Sequence, residues 1–355
     1  MTVHQVVVAA APHDAVTNDA LALQKGLATA HGASEVYARY VHPDLAGVVH
    51  PLEHVPDAAA DLLVYHVTIG EPRVAEFLLA RPEPVMVVYH NITPPEFFRP
   101  WSARFAALLA GGREQLRMLR PRVVHAVADS RFNASELAAL GYDDVAVTPL
   151  AVDLLALRDS ADDGSAERVL AGIDGPVYLF VGQLMPHKRP DLLVQAFHIL
   201  STYLEPDAGL VMVGAARQAR YGTAVEQLVR ELALSNVRFP GAVPLPTLAG
   251  LYRRADAFVT MSEHEGFCIP IVEAMSVGLP VVARRFAAIP DTAGGAALLL
   301  DAGDGPAVAA EAMHAVVADA DLRRTMTEAG RRTVDTFTAV DPVDEFLRHV
   351  EVALA

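Results

Sequence analysis

Glu265 and Glu273, with seven residues between them, lie in the stretch Ser262-Glu263-His264-Glu265-Gly266-Phe267-Cys268-Ile269-Pro270-Ile271-Val272-Glu273. Lys188 stands upstream in Gly182-Gln183-Leu184-Met185-Pro186-His187-Lys188-Arg189. A carboxylate accepts two hydrogen bonds side by side, which suits the vicinal hydroxyls of a ribose or a hexose. An ammonium group neutralises a phosphate as a point charge. The three residues could therefore face a hexose, a diphosphate and a ribose in turn. Each also has a plainer reading: Glu265 as a charge at a helix start, Glu273 as a solvated helix residue, Lys188 as a solvated loop residue.

Those side chains need elements to aim them. Ala257–Met261 is a short apolar run, readable as a buried strand; Gly266 supplies a turn, Pro270 suits the first turn of a helix over Pro270–Val277, and Gly278 stops it. Strand, loop and helix start together form a place where unpaired backbone N–H groups and the helix dipole favour an anion such as a diphosphate. Lys188 likewise falls between a strand at Val177–Val181 and a helix at Pro190–Leu204. Arg189 could act similarly, but Pro190 directly after it points it elsewhere.

The chain has 355 residues, 52% hydrophobic and 20% charged, which predicts a soluble globular protein of two domains. No apolar run approaches the roughly 18 to 20 residues that span a bilayer. The opening residues lack a basic segment and a cleavage site and read as a first strand. One cysteine, Cys268, leaves no internal disulfide and fits a reducing cytoplasm. A net charge of −15 argues against a nucleic-acid partner.

The first half alternates strand candidates (Gln5–Ala10, Glu35–Arg39, Leu62–His66, Val85–His90, Val123–Ala128, Val145–Thr148) with helical spacing over Asn18–His31, Glu71–Leu79, Phe97–Leu119 and Asn133–Leu140. This predicts a parallel sheet covered on both faces, with its functional loops at the carboxyl ends of the strands. No Gly-x-Gly-x-x-Gly follows the first strand, so a dinucleotide site is not expected there. Four loops carry polar clusters: Pro12 to Asn18 with Asp14, where Asn18 could cap the next helix; Tyr65 to Gly70 with His66; Tyr89 to Pro95 with His90 and Asn91; and Asp129 to Asn133. A histidine in such a loop is also a common hydrogen-bonded structural residue.

Val152 to Gly175, rich in Asp, Ser, Ala and Gly, reads as a linker. A second alternating unit then runs to about residue 338, and Pro342–Leu354 forms a last helix. Its strand candidates are Val177–Val181, Gly209–Val213, Val237–Phe239, Ala257–Met261, Val281–Ala283 and Ala297–Leu300.

Phe180-Val181-Gly182-x-Leu-x-Pro-x-Lys188, then Asn236-Val237-x-Phe239-x-Gly241, then Glu265-Gly266-Phe267-x-Ile269-Pro270-x-x-Glu273 resemble glycosyltransferase family 4, and Asp14-Ala15-Val16-x-Asn18, Tyr65-His66-x-x-Ile69-Gly70 and Tyr89-His90-Asn91-Ile92-Thr93-Pro94 are similar to one branch of it. That resemblance implies a retaining, nucleotide-sugar-dependent hexosyltransferase of the GT-B fold: α/β, two doubly wound Rossmann-like domains facing across a cleft. Residues 1–160 would take the acceptor and 170–338 the donor, with a C-terminal helix at 340–355 crossing back to the first domain. It further implies that Lys188 holds the donor diphosphate, that Glu265 contacts the transferred sugar and Glu273 the ribose, and that Gly182, Gln183 and the backbone from Gly266 through Phe267, Cys268 and Ile269 line the phosphates. Val243 would lie by the base, and His90 would orient and polarise near the sugar as a catalytic residue beside Lys188 and Glu265. Asp14, Asn18, His66, Gly70, His90 and Asn91 would face the acceptor, which is a glycan, a lipid-linked or a small-molecule hydroxyl.

No cofactor and no metal are expected. Asp319-Ala320-Asp321 lies between helices rather than in a strand-end loop, and His50 and His54 have Pro51 between them and no completing carboxylate. The family usually carries Arg where this chain has Gln183, which would leave the diphosphate one cation short; Arg217 and Arg220, after Gly214, are candidates to compensate. A reduced activity, an inert sugar-nucleotide-binding subunit, or a GT-B epimerase or phosphorylase are the alternatives. Phe97–Arg122 mixes four aromatics with six arginines and offers a contact with an anionic membrane at the inner face. Its plainer reading is a helix with buried aromatics and solvated arginines.

Overall fold

The computed structural model describes all residues except His13, Ala58, Ala59, Val152, Leu154 and Arg217. It divides into two compact units, Met1–Val152 with Ala339–Ala355, and Asp153–Thr338.

Unit 1 is a seven-stranded sheet in the order β3-β2-β1-β4-β5-β6-β7, every pair parallel. Its strands are β1 (Val3–Ala10), β2 (Val36–Val41), β3 (His50–Pro51), β4 (Leu62–Val67), β5 (Val85–Tyr89), β6 (Val123–Ala128) and β7 (Ala146–Val147). The connecting helices are α1 (Ala15–His31), α2 (Pro72–Ala80), α3 (Ala103–Leu119) and α4 (Arg131–Ala139). Parallel strands covered on both sides read as continuous apolar runs, and β4 and β5 are buried at every residue.

Two boundaries moved for local reasons. Asp14, not Asn18, caps α1: Asp14 has extended backbone and accepts from the Thr17 N–H at 3.0 Å, whereas Asn18 is already inside the helix and exposed. The helix expected from Phe97 begins at Ala103, because Pro100 lacks an N–H and bars helical backbone before it; Ser102 is the cap. The short β3 at His50–Pro51 is not legible in the sequence, and it takes His50 out of helical register with His54.

Unit 2 contains α5 (Ala156–Asp159), α6 (Ser165–Leu170), β8 (Val177–Val181), α7 (Pro190–Tyr203), β9 (Gly209–Val213), α8 (Ala219–Glu231), β10 (Val237–Gly241) and α9 (Leu245–Arg254). It continues through β11 (Ala257–Thr260), α10 (Ile269–Ser276), β12 (Val281–Arg284), α11 (Ile289–Ala293), β13 (Ala297–Leu300), α12 (Pro306–Ala318) and α13 (Ala320–Thr338). Its six strands are all parallel, in the order β10-β9-β8-β11-β12-β13.

The stretch read as a linker is mostly built into this unit. The carbonyls of Leu157, Arg158 and Ser160 accept from Arg253 on α9, and Arg254 pairs with Asp162 and with Glu167. The expected start of the linker, Val152, lies outside the described residues.

The last helix, α14 (Pro342–Leu354), belongs to unit 1. Phe346, Val350 and Ala353 recur at helical spacing and join the core formed by Leu23, Leu27, Leu62, Val64, Met86 and Val88. Gly26 makes the approach to α1 feasible, since a Cβ there would come within 2.2 Å of Val343 Cγ1. Among the described residues, no helix is long and apolar enough to cross a membrane.

Candidate active site

In each sheet the chain winds outward in both directions from a central pair of strands, and the loops leaving that pair diverge to leave a crevice. In unit 2 the pair is β8 and β11; in unit 1 it is β1 and β4. Each crevice collects ionisable side chains.

In unit 2, Gly182 closes β8 at φ +155, and the Lys188 stem lies against it, with Lys188 Cδ 3.3 Å from where a Cβ would stand. A side chain on Gly214 would meet the Gly182 carbonyl at 2.1 Å, so the loops after β8 and β9 run in contact because Gly214 has no side chain. The loop after β11 is tied to the loop after β8 by Glu263 N–H donating to the His187 carbonyl at 2.8 Å.

These ties bring Lys188 Nζ to 2.6 Å from Glu265 Oε1. Ser262 Oγ donates to the same oxygen at 2.7 Å, and Thr260 stands 3.0 Å behind Ser262. Burial works against the Lys188 charge, but the Glu265 carboxylate, through its charge and its hydrogen bond, outweighs it and raises the Lys188 pKa above the ordinary value. Glu265 is thus held in the crevice by an ammonium group and a hydroxyl; it is not a plain helix-start charge.

The residue that turns the chain into α10 is Cys268, in left-handed backbone at φ 74, rather than Gly266. No side chain caps this helix. Its opening N–H groups are therefore without a side-chain acceptor, which is the condition for receiving an anion. The loop ahead of it is fixed from behind: Thr292 Oγ1 donates to the Phe267 carbonyl at 2.5 Å, and the Phe267 ring packs edge-on against Phe337. Burial raises the Cys268 thiol well above its usual pKa, leaving it neutral.

Glu273, one turn into α10, is also not solvated. Tyr252 on α9 donates to its Oε2 at 2.8 Å, burial raises its pKa, and Oε1 receives no hydrogen bond from a described residue. Tyr252 went unnoticed in the sequence because it looks like any aromatic at core spacing. Val243 lies half-buried in the loop after β10.

Arg189 does turn away, to Asp191 at 3.1 Å and Glu263 at 2.5 Å, and Arg284 shares Glu263 with it. Gln183 is half-buried, and its side chain makes no hydrogen bond to a described residue. Arg220 is exposed in the first turn of α8, and Arg217 lies outside the described residues.

Unit 1 gathers residues from five places. Gln5 Nε2 donates to the Ala20 carbonyl at 2.9 Å, which turns Gln5 Oε1 toward His66 Nε2, also at 2.9 Å. Oε1 only accepts, so His66 carries its proton on Nε2 and offers the Nδ1 lone pair. His90 Nε2 sits 2.8 Å from that lone pair and donates to it, while His90 Nδ1 donates to Asp129 Oδ2 at 3.0 Å. His90 is thereby the charged imidazolium and His66 the neutral imidazole.

The pKa directions agree. Burial works against the His90 charge, but Asp129 chiefly, with Asp19 and Asp14, raises it to about 8, while burial first and His90 second push His66 well below its usual value. Asp19 lies 3.7 Å from both rings and accepts from the Ala151 N–H at 2.6 Å; burial raises it to about 6.

Asp19, His66 and His90 could be taken for metal ligands, since their ligand atoms lie within 4.8 Å of one another. The ring geometry points the other way. The planes differ by 7°, and the centroid separation of 5.1 Å equals the N–N distance plus two ring radii. The two nitrogens aim at each other, not at a shared point.

Of the six expected acceptor-side residues, His66 and His90 are hydrogen-bonded in this group, and Asp14 stands near enough to act on the His90 charge. Asn91, left-handed at φ 90, belongs to a neighbouring one, donating to Asn133 and Glu136 at 2.8 Å each, with Arg113 paired to Glu136. Asp14 caps α1. Gly70 packs on α3, where a Cβ would meet Gly112 N and Leu108 O at 2.4 Å each. Gln5 and Asp19 are not legible in the sequence, since Gln5 sits in a strand run and Asp19 in a helix where neither breaks the pattern; Asp129 stands out there only as part of its polar loop.

Asp319 Oδ1 accepts from the N–H groups of Asp321 and Leu322, so the Asp-x-Asp triplet serves as a helix cap. In Phe97–Arg122, Phe98 is buried against Phe105, and Arg99, Arg113, Arg117 and Arg120 pair with Glu96, Glu136, Glu114 and Asp143. Arg122 donates to the carbonyls of Arg81 and Glu83. Most of the segment's charge is thus matched within unit 1.

Residues 167–333 match the family model described as glycosyl transferases group 1. A D-inositol 3-phosphate glycosyltransferase of Jonesia denitrificans is 32% identical over 225 residues, which are 60% of this chain and 53% of that protein. The O-antigen chain mannosyltransferase B of Escherichia coli is 32% identical over 142 residues, 40% of this chain and 37% of that one. The chain spans about half the length of the first of these relatives.

Among solved structures, Anabaena HepE in complex with UDP and glucose superposes with a TM-score of 0.77 at 17% identity over 99% of both chains. WaaG, a glycosyltransferase involved in lipopolysaccharide biosynthesis, gives 0.75 at 14% identity over 97% of this chain and 98% of its own. The fold is that of the GT-B glycosyltransferases.

Proposed function

We propose that this chain, which matches the group 1 glycosyl transferases over residues 167–333, moves a hexosyl group from a nucleoside diphosphate sugar to a hydroxyl of a glycan, a lipid-linked or a small-molecule acceptor, with retention and without a metal ion. The observation that carries this reading is the meeting of Lys188 and Glu265 in the crevice between β8 and β11, beside the uncapped start of α10. The donor class draws support from HepE, which has been solved with UDP-glucose.

Cleaving the bond from the anomeric carbon to the diphosphate leaves negative charge on the departing oxygen. Lys188 and the opening N–H groups of α10 are placed to stabilise it; losing one such donor costs on the order of 3 kcal/mol, about two decades in rate. Glu265 would hold hexose hydroxyls, and Glu273, oriented by Tyr252, the ribose. The acceptor oxygen bonds to the anomeric carbon on the face the diphosphate leaves, and its proton passes to the departing phosphate oxygen. His90, with both ring nitrogens already engaged, orders its loop rather than serving as the base. The use of Asp319 as a cap favours a metal-free route over an Asp-x-Asp site.

Gln183 favours a second reading, an inert subunit that binds sugar nucleotides. Release of nucleoside diphosphate from a panel of uridine, guanosine and adenosine diphosphate sugars with mixed acceptors separates the two. Turnover that drops about a hundredfold in Lys188→Ala is the expected result. Binding without turnover for every pair would select the inert subunit, and full turnover in Lys188→Ala would overturn the assignment.

A further inference from the structure

We propose that Glu265 is a built-in occupant of the anion seat. Without nucleotide its carboxylate takes the place of the donor phosphate on Lys188, and only a complete nucleotide sugar fully displaces it. This rests on the reading above, and goes beyond it by giving one residue two successive partners.

The side chains of Lys188 and Glu265 are only 18% and 10% exposed, and Ser262 and Lys188 converge on one carboxylate oxygen. Among the described residues, Lys188 has no other acceptor than Glu265. The positive charge that must receive a diphosphate is therefore already matched. The other cations of the same loops do not substitute, because Arg189 and Arg284 are held by Asp191 and Glu263. Gln183 adds none.

A phosphate arriving at Lys188 meets a largely buried carboxylate beside it, and two anions around one ammonium repel. Glu265 can leave only if new donors replace the ammonium. Hexose hydroxyls are such donors; a nucleoside diphosphate without its hexose has only its ribose hydroxyls, which this reading places at Glu273. The seat is thus biased against the bare diphosphate and toward the intact donor, which also favours release of the product diphosphate once the sugar has gone.

The test is calorimetric titration of UDP, GDP and ADP, with their glucose or mannose conjugates and inorganic pyrophosphate, into the whole chain and its Glu265→Gln variant. The variant removes the competing charge and keeps the size. Glu265→Gln should bind the nucleoside diphosphate, and pyrophosphate, about tenfold more tightly than the wild type, while the conjugate gains nothing, so the preference for the sugar-bearing ligand collapses. Glu265→Asp, which draws the carboxylate back from Lys188, should tighten diphosphate binding by a smaller factor; it serves where the glutamine variant does not fold.

Unchanged or weaker diphosphate binding in Glu265→Gln, with Lys188→Ala still abolishing it, overturns the built-in occupant and leaves the donor site standing. Wild-type binding that survives Lys188→Ala, or no binding of any nucleotide, overturns the donor-site reading as well.

Discussion

The two crevices are made of similar materials to different ends. In unit 1, Gln5, His66, His90, Asp129 and Asp19 form a chain in which each ring nitrogen has one partner and the side chains of both histidines and both aspartates are 6% exposed or less. In unit 2, Lys188 and Glu265 keep partial exposure, Glu273 keeps an oxygen free of described donors, and the helix beside them is uncapped. A saturated buried network fixes a conformation, whereas an unsaturated one is ready for a ligand. The difference assigns shape-keeping to the first group and exchange to the second.

The largest expected effect that would break this contrast is on stability. Asp129→Ala strips the buried His90 imidazolium of its chief partner, and breaking a buried pair costs about 3–5 kcal/mol. Urea unfolding should register that loss, while Lys188→Ala should move the same curve by about 1 kcal/mol and act on turnover instead. Equal destabilisation by the two variants would mean that both groups are structural.

The next effect is a pH window. The His90 pKa is raised to about 8 from an unfolded value near 6.5, so its stabilising contribution is complete below about 6.5 and is lost as pH rises through about 8. At about 1.4 kcal/mol per unit, the window is worth on the order of 2 kcal/mol. The groups facing the ring are Asp129, Asp19, Asp14 and His66. Asp129→Asn removes the main charge, so its unfolding free energy should stay flat over pH 6.5–8 where the wild type declines. A wild type already flat there would show His90 to be neutral and reverse the proton assignment along the chain.

How much of this was legible differs between the groups for the same physical reason. The unit 2 site is spelled in two short windows, 182–189 and 262–273, because a strand end, a loop and a helix start are contiguous in sequence, and its chemistry can be read off spacing. Tyr252, and the supporting Gly214, Thr260 and Thr292, had to come from elsewhere. The unit 1 group is assembled across β1, α1, β4 and the loops after β5 and β6, so no local pattern joins Gln5 to Asp129. Asp19 is hidden best: inside an amphipathic helix it looks like a solvated acid, and only the sheet order that puts β1 beside β4 turns it toward His66. Strand positions were readable because apolar runs of buried parallel strands stand out, whereas helix starts shifted wherever a cap or a proline decided them.

The smallest effect tests whether a pair that is not saturated can still help to fix a helix, since His349 Nε2 is buried without a hydrogen-bond partner among the described residues. His125 on β6 and His349 on α14 meet at 3.0 Å through Nε2 and Nδ1, a second imidazole pair within unit 1, but one only partly buried. Burial, and next the partner His349 for His125 and Arg348 for His349, lowers both pKa values; Glu345, 3.6 Å from His349 Nε2, opposes this. The bond needs one donor and one lone pair, so both rings must not be protonated together. With folded pKa values below the unfolded one, the pair contributes stability above about pH 6.5 and loses it as pH falls through the depressed values. Wild-type unit 1 should therefore lose about 1 kcal/mol more than His349→Gln between pH 7 and 5, the worth of one net hydrogen bond. Identical acid limbs would mean that α14 is held by Phe346, Val350 and Ala353 alone.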